Sequence, residues 1–128
     1  QARSKARTCG GTRYPAVAPL RWNDALARAA AAHSLDMGRR GFFSHTNTRG
    51  QSIADRVRAQ GYRYGWVGEN IAAGYRTPSE VVRGWLQSPG HCVNVMRSQF
   101  TEIGIGHVEV PGSPYRTYWT QKFGSPSS

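Results

Sequence analysis

The last quarter of the chain restricts its fold most. From Thr101 to Val110, Ile103, Ile105 and His107 alternate with Gly104 and Gly106. Pro111 to Pro114 is turn-like, and then Tyr115, Thr117, Trp119, Gln121 and Phe123 take every second position. A period of two is that of a strand, and two such runs around a turn predict an antiparallel hairpin. The two glycines leave a bare strip on which a helix can pack closely. Tyr62, Tyr64 and Trp66 alternate in the same way and predict a further strand. Almost everything before them is helical in pattern. Helices first and strands last argue for an α+β fold, with helices on a small antiparallel sheet.

The helices carry their own punctuation. Asn23 suits an N-cap and Asp24 the first turn; the run from Ala25 to Ala32 has high helix propensity. Leu26, Ala30, His33 and Met37 keep helical spacing and predict an inward face, with Gly41 as the stop. His33 is read there as a satisfied core histidine, or one at the rim, rather than a ligand. Phe42 and Phe43 are expected to plug the core. Ser52 to Asp55 resembles a capping box, opening a short helix to Gln60 with Ile53 and Val57 inward. Thr77-Pro78-Ser79-Glu80 is the strongest helix start, followed by a stripe of Val81, Val82, Trp85 and Leu86. Ser88-Pro89 ends that helix and opens another carrying His91 and Asn94.

A chain of 128 residues is one domain by length, with 38% hydrophobic residues and no run long enough to span a bilayer. It divides into a basic arm (1–19), a body (20–124) and a tail (125–128) expected to be disordered. Its first residue is Gln rather than Met, as in a processed or trimmed form. Lys and Arg number 17 against 7 acidic residues, for a net charge of +10. Solubility explains such a surface; attraction to an anionic partner is the functional reading, with lipid headgroups or an anionic cell-envelope component ahead of nucleic acid. No nucleic-acid-binding module pattern is present. Two cysteines, Cys9 and Cys92, suggest one disulfide in an exported chain, stapling the arm to the body at a gain of roughly 2–4 kcal/mol. A metal site that uses Cys92 beside His91 is the lesser alternative.

Three side chains lie in Gly-, Pro- or Ser-punctuated stretches and can carry a proton or bind a metal: His45, Glu69 and His91. Two imidazoles and a carboxylate suffice for a zinc ion or another divalent cation with an open position, and equally for acid–base catalysis near neutral pH. Tyr62, Tyr64 and Trp66 are candidates for an aromatic ligand rim, or for core.

The chain resembles the CAP superfamily of cysteine-rich secretory, antigen five and pathogenesis-related proteins, most closely its bacterial secreted branch. The resemblance rests on an ordered set of stretches. These include Leu20 to Asn23, His33 to Met37, Phe42 to His45, Gly68-Glu69-Asn70, Val82 to Trp85, Ser88 to Asn94, Thr101 to Gly104 and Tyr118 to Gln121. It implies a three-layer α-β-α sandwich, a secreted, extracellular or periplasmic location, and a cleft that in many members holds two His and two Glu and sometimes zinc. His45, His91 and Glu69 match three of these. Ser88 stands where the fourth, a glutamate three residues after a Trp, is expected; Glu102 is another source of a carboxylate. Cys9 and Cys92 match a pair found in some bacterial members. Three functional readings follow: a secreted binding module for a lipid or envelope ligand, a metal-dependent hydrolase of peptide, cell-wall or nucleic-acid substrate through the same cleft, and a polar cluster that only orders the cleft. No G-x-S-x-G nucleophile motif is present.

Overall fold

A computed structural model describes residues 2–127. A four-stranded sheet runs through its centre in the order β3-β5-β6-β4. β4 (Tyr64–Ala73) and β5 (Glu102–Glu109) both pair antiparallel with β6 (Thr117–Pro126). The short β3 (Arg21–Trp22) lies parallel to β5, so the sheet is mixed. The expected hairpin is β5-β6, and the Trp66 stretch is β4. As a central strand, β6 is buried from Thr117 to Gly124 on both faces, which a one-faced alternation does not anticipate.

Helices cover both faces. α1 (Asp24–Arg40) and α2 (Ile53–Ala59) lie on one side, and α3 (Pro78–Gln87) and α4 (Pro89–Met96) on the other. The predicted caps form. Asn23 Oδ1 accepts from Leu26 N at 3.0 Å, and Ser52 and Asp55 complete a reciprocal capping box. Gly41 ends α1 at φ 69°. Leu26, Ala30, His33 and Met37 are all buried. A Cβ at Gly104 would overlap the backbone of Leu26 and Ala27, and one at Gly106 that of Ala30 and Ala31. The bare strip therefore lets α1 lie directly on β5.

Two expectations are corrected. Phe43 is 48% exposed, beside Tyr115, and only Phe42 turns inward, edge-on to His33. Residues 125 and 126 extend β6, and Ser127 N donates to Arg63 O; Ser128 lies outside the described residues. The arm contains a hairpin of its own, β1 (Arg7–Cys9) and β2 (Thr12–Tyr14), turning at Gly10 and Gly11, both with positive φ. Its Gly-Gly pair is a hairpin signal in its own right.

Cys9 and Cys92 form a disulfide across 83 residues, buried with Val95, Met96, Phe100 and Phe123. Closing so long a loop is worth about 4–5 kcal/mol on the chain-entropy model. The double variant Cys9→Ser/Cys92→Ser is expected to lose about 2–5 kcal/mol in urea unfolding; unchanged stability would contradict the staple. Gly104→Ala is expected to cost about 1–3 kcal/mol or more by overpacking, read from the same denaturation midpoint.

Candidate functional site

Glu69 sits in the middle of β4, opposite Lys122 on β6. Alternation sends it toward α1 and α2, while Asn70 points to the α4 side opposite Gln121. Glu69 is 3% exposed. Arg56, on α2, meets it fork to fork, Nη1 on Oε2 and Nη2 on Oε1, each at 2.9 Å. Lys122 Nζ lies 2.7 Å from Oε2, and His45 Nδ1 donates to Oε1 at 2.8 Å. Arg56 Nη2 also donates to the carbonyl of His45 at 2.6 Å, tying the loop after α1 to the same carboxylate. His33 Nε2 donates to Ser44 O at 2.8 Å and lies 3.9 Å from Glu69 Oε1; its Nδ1 is buried with no partner among the described residues.

Each protonation preference has a cause. Burial opposes ionisation of Glu69, but His45, Arg56 and Lys122 outweigh it and hold the carboxyl well below its usual range. Burial lowers the Lys122 ammonium to about 8, against the pull of Glu69. Burial lowers His33 to about 4, with Glu69 opposing and Arg56 adding to the shift. His33 is therefore neutral, with its proton on Nε2.

Two of the three sequence candidates touch, and the third lies within electrostatic reach of one of them. Glu69 and His45 are joined directly. His91 is on α4, across the sheet edge, and its Nδ1 is 2.9 Å from Ser88 Oγ. Its pKa is lowered by burial first and by the nearby charge of His45 second. Asn70 and Asn94 link the two sides: Asn70 Nδ2 donates to His91 O and Gln121 Oε1, and Asn94 Nδ2 to Asn70 Oδ1 and Glu69 O. Ser88, at the missing glutamate position, partners the imidazole and makes no side-chain cap to α4. Glu102 is committed elsewhere, accepting from Tyr62 Oη at 2.7 Å. Tyr62 is consequently core and not rim; Tyr64 is half-buried with the Arg58 guanidinium over its ring, and Trp66 is half-exposed.

Among the described residues, no three of His, Cys, Asp and Glu are grouped to hold a metal ion. Glu69 accepts three side-chain hydrogen bonds, and two cations touch it. Glu69 is thus committed to protein partners, while His45 and His91 each turn Nδ1 to a protein partner. Sequence reasoning missed Arg56 and Lys122. Arg56 had a signal, for it is three residues from Ile53 and beside Val57 on the inward face of α2.

The buried imidazole gives the site a pH signature. The unfolded chain takes up a proton at about 6.5, whereas folded His33 does so only at about 4. The contribution is therefore complete above about pH 6.5 and lost as pH falls toward about 4, by about 3 kcal/mol. Urea midpoints measured from pH 7 to 4 are expected to fall in the wild type and to fall less in His33→Gln. Equal slopes would remove His33 as the cause.

Residues 2–123 match the model of the cysteine-rich secretory protein family, CAP. The uncharacterized protein YkwD of Bacillus subtilis is 41% identical over 105 residues, covering 82% of this chain and 39% of that protein. An extracellular protein from Bacillus anthracis with an SCP domain has a crystal structure that superposes with a TM-score of 0.74 at 32% identity, covering 84% of this chain and 34% of that one. An outer surface protein of Borrelia burgdorferi shares the fold at a TM-score of 0.78 and 21% identity, over 87% of this chain and 80% of that one. The chain thus spans well under half the length of its Bacillus relatives. With helices on both faces of a mixed four-stranded sheet and a family match over nearly all of its length, the chain belongs to the CAP family.

Proposed function

We propose that this domain is an extracytoplasmic binding module for an anionic amphiphile, a long-chain carboxylate or phosphate ester of the cell-envelope lipid type. The observation that carries the reading is an open groove of about 1310 Å³ between the N-terminal arm and α3. Leu20, Val82, Leu86, Val95, Ile103 and Phe123 give it an apolar lining. Arg3, Lys5, Arg7 and Arg83 bring positive charge to the same groove. Arg3 is almost fully buried, with Nε lacking a partner among the described residues and Nη1 donating to Arg97 O. An acyl chain removes apolar surface from water while its headgroup meets a guanidinium, which suits an amphiphile better than a sugar or a peptide.

The stripe of α3 supports the same reading. Val81 and Trp85 are buried as expected, but Val82 and Leu86 stay half-buried because they face the groove. The disulfide that anchors the arm suits an oxidising compartment. Relatives described as extracellular or outer-surface proteins point the same way. No helix among the described residues is long and apolar enough to cross a membrane. The hydrolase reading needs a metal in the His/Glu corner, where Glu69 is already engaged by Arg56, Lys122 and His45.

Oleate binding, followed by tryptophan fluorescence, tests the groove. Oleate is expected to bind more tightly than oleyl alcohol, and the difference should shrink as salt screens the cations. Leu86→Glu is expected to weaken oleate binding by about tenfold or more, because it places a carboxylate against the chain. Oleate binding unchanged in Leu86→Glu would remove the groove as the site.

A further inference from the structure

We propose a second ligand site, a cleft between α1 and α2 that binds a polyol carrying an anionic group, with hydroxyls paired to Arg56 Nε and His33 Nδ1. The inference does not depend on the groove, which lies toward the other face of the sheet. The cleft is open, has a volume of about 530 Å³ and is bounded by the two helices and the 47–51 loop. That size suits a small polar molecule. Two of its lining side chains are otherwise sealed in the protein, His33 at 1% exposure and Arg56 at 7%. Each keeps one buried nitrogen without a partner among the described residues: His33 Nδ1 and Arg56 Nε. The two side chains are neighbours, for Glu69 Oε1 lies 3.9 Å from His33 Nε2 and 2.9 Å from Arg56 Nη2.

The bonds already made decide which atoms are left. His33 Nε2 donates to Ser44 O, and Ser44 does not line the cleft. The neutral ring therefore offers the Nδ1 lone pair on its remaining edge. Arg56 spends both Nη atoms on Glu69 and the His45 carbonyl, which also lie outside the cleft, and keeps Nε–H. One nitrogen accepts and the other donates. A hydroxyl serves either, since it accepts from Nε–H and donates to Nδ1. A carboxylate or sulfate has no proton for Nδ1, and an ammonium has no lone pair for Nε–H. Buried donors and acceptors are costly to leave unpaired, so hydroxyls placed here relieve two such costs.

The mouth of the cleft adds charge. Arg39, Arg40 and Arg49 are exposed around it. Against them stands one carboxylate among the described residues that line it, Asp36, already paired with Arg40 at 2.7 Å. Neither Arg39 nor Arg49 has an acidic partner among the described residues. Gln51 and Gln60 turn their side-chain oxygens to Asn47 and Arg28, which leaves their amide N–H groups to donate to further hydroxyls. Guanidinium forks suit phosphate and carboxylate alike. The ligand chemistry is thus that of a polyol phosphate or a sugar acid.

Nitrogen-15 spectra of the untagged chain test the site, with the His33 Nδ1 and Arg56 Nε signals followed during titration. Glycerol 3-phosphate or glucuronate at millimolar concentration is expected to shift both signals, and whichever does so identifies the anion as phosphate or carboxylate. Glycerol and glucose carry hydroxyls without charge, and sulfate carries charge without an O–H; each is expected to bind about tenfold more weakly or worse. Arg39→Ala/Arg49→Ala alters two exposed side chains, so it should keep the wild-type melting temperature while weakening the charged polyol by about tenfold. If neither charged polyol moves the two signals, those atoms are served by water alone and the proposal fails. Sulfate that shifts them as far as glycerol 3-phosphate does would overturn the role of the hydroxyls. Unchanged affinity in Arg39→Ala/Arg49→Ala would overturn that of the charged mouth.

Discussion

A carboxylate removed from water needs its charge met, and Glu69 is met from three sides. Each partner comes from a different element, so the ion cluster fixes how those elements sit. Arg56 sets the rotation of α2, because a turn of that helix would leave a guanidinium buried without a partner. Lys122 sets the register of β4 against β6, since the two residues are directly opposite. A slip of one residue would exchange Glu69 for Asn70 on the helix-facing side and strand Lys122. Burying such a cluster adds little net stability over apolar packing, but breaking it by removing one partner costs several kcal/mol. Its effect is to make alternatives to this arrangement expensive.

The sheet divides the polar interior. On the α1 side lie Glu69, Lys122, His33 and Arg56; Ser34 and Thr120 share a hydrogen bond there at 2.7 Å. On the α4 side lie Asn70, Gln121 and Asn94, joined by amide hydrogen bonds. The first network is charged and the second neutral. His45 is tied to the first network through Glu69, and the backbone of His91 to the second through Asn70. That division commits Glu69 to the charged network.

Much of this was legible in the residues. The caps at Asn23, Ser52 and Thr77 are local, and local chemistry decided them. Gly104 and Gly106 announced a close helix because a strand interior rarely keeps two glycines without a packing reason. His45 and Glu69 were found because imidazole and carboxylate are conspicuous. Arg56 and Lys122 escaped because basic residues in a chain of net charge +10 are usually solvated, and their burial follows only from Glu69 lying opposite. Lys122 was further hidden by the one-faced reading of β6, for a strand covered on both faces has no polar side to mark it. Phe43 misled in the opposite direction: an aromatic pair reads as core, but a loop leaving α1 through a left-handed glycine can turn only one ring inward.

The same physics separates the corner from the groove as a place for a ligand. In the corner Glu69 is engaged by Arg56, Lys122 and His45, and the walls are held by bonds from several elements. In the groove, Val82 and Leu86 keep apolar surface in contact with water, and Arg3 holds a buried donor without a partner among the described residues. Each is a cost that the free protein carries and that an amphiphile would relieve, at roughly 25 cal/mol for each Å² of apolar surface covered and more for the donor. The arm that forms one wall has only a three-residue 3-10 helix and a small hairpin of its own. It keeps its place because Cys9 ties it to α4, the helix that also carries His91. The disulfide therefore holds the wall of the groove, while the ion cluster holds the sheet beneath it.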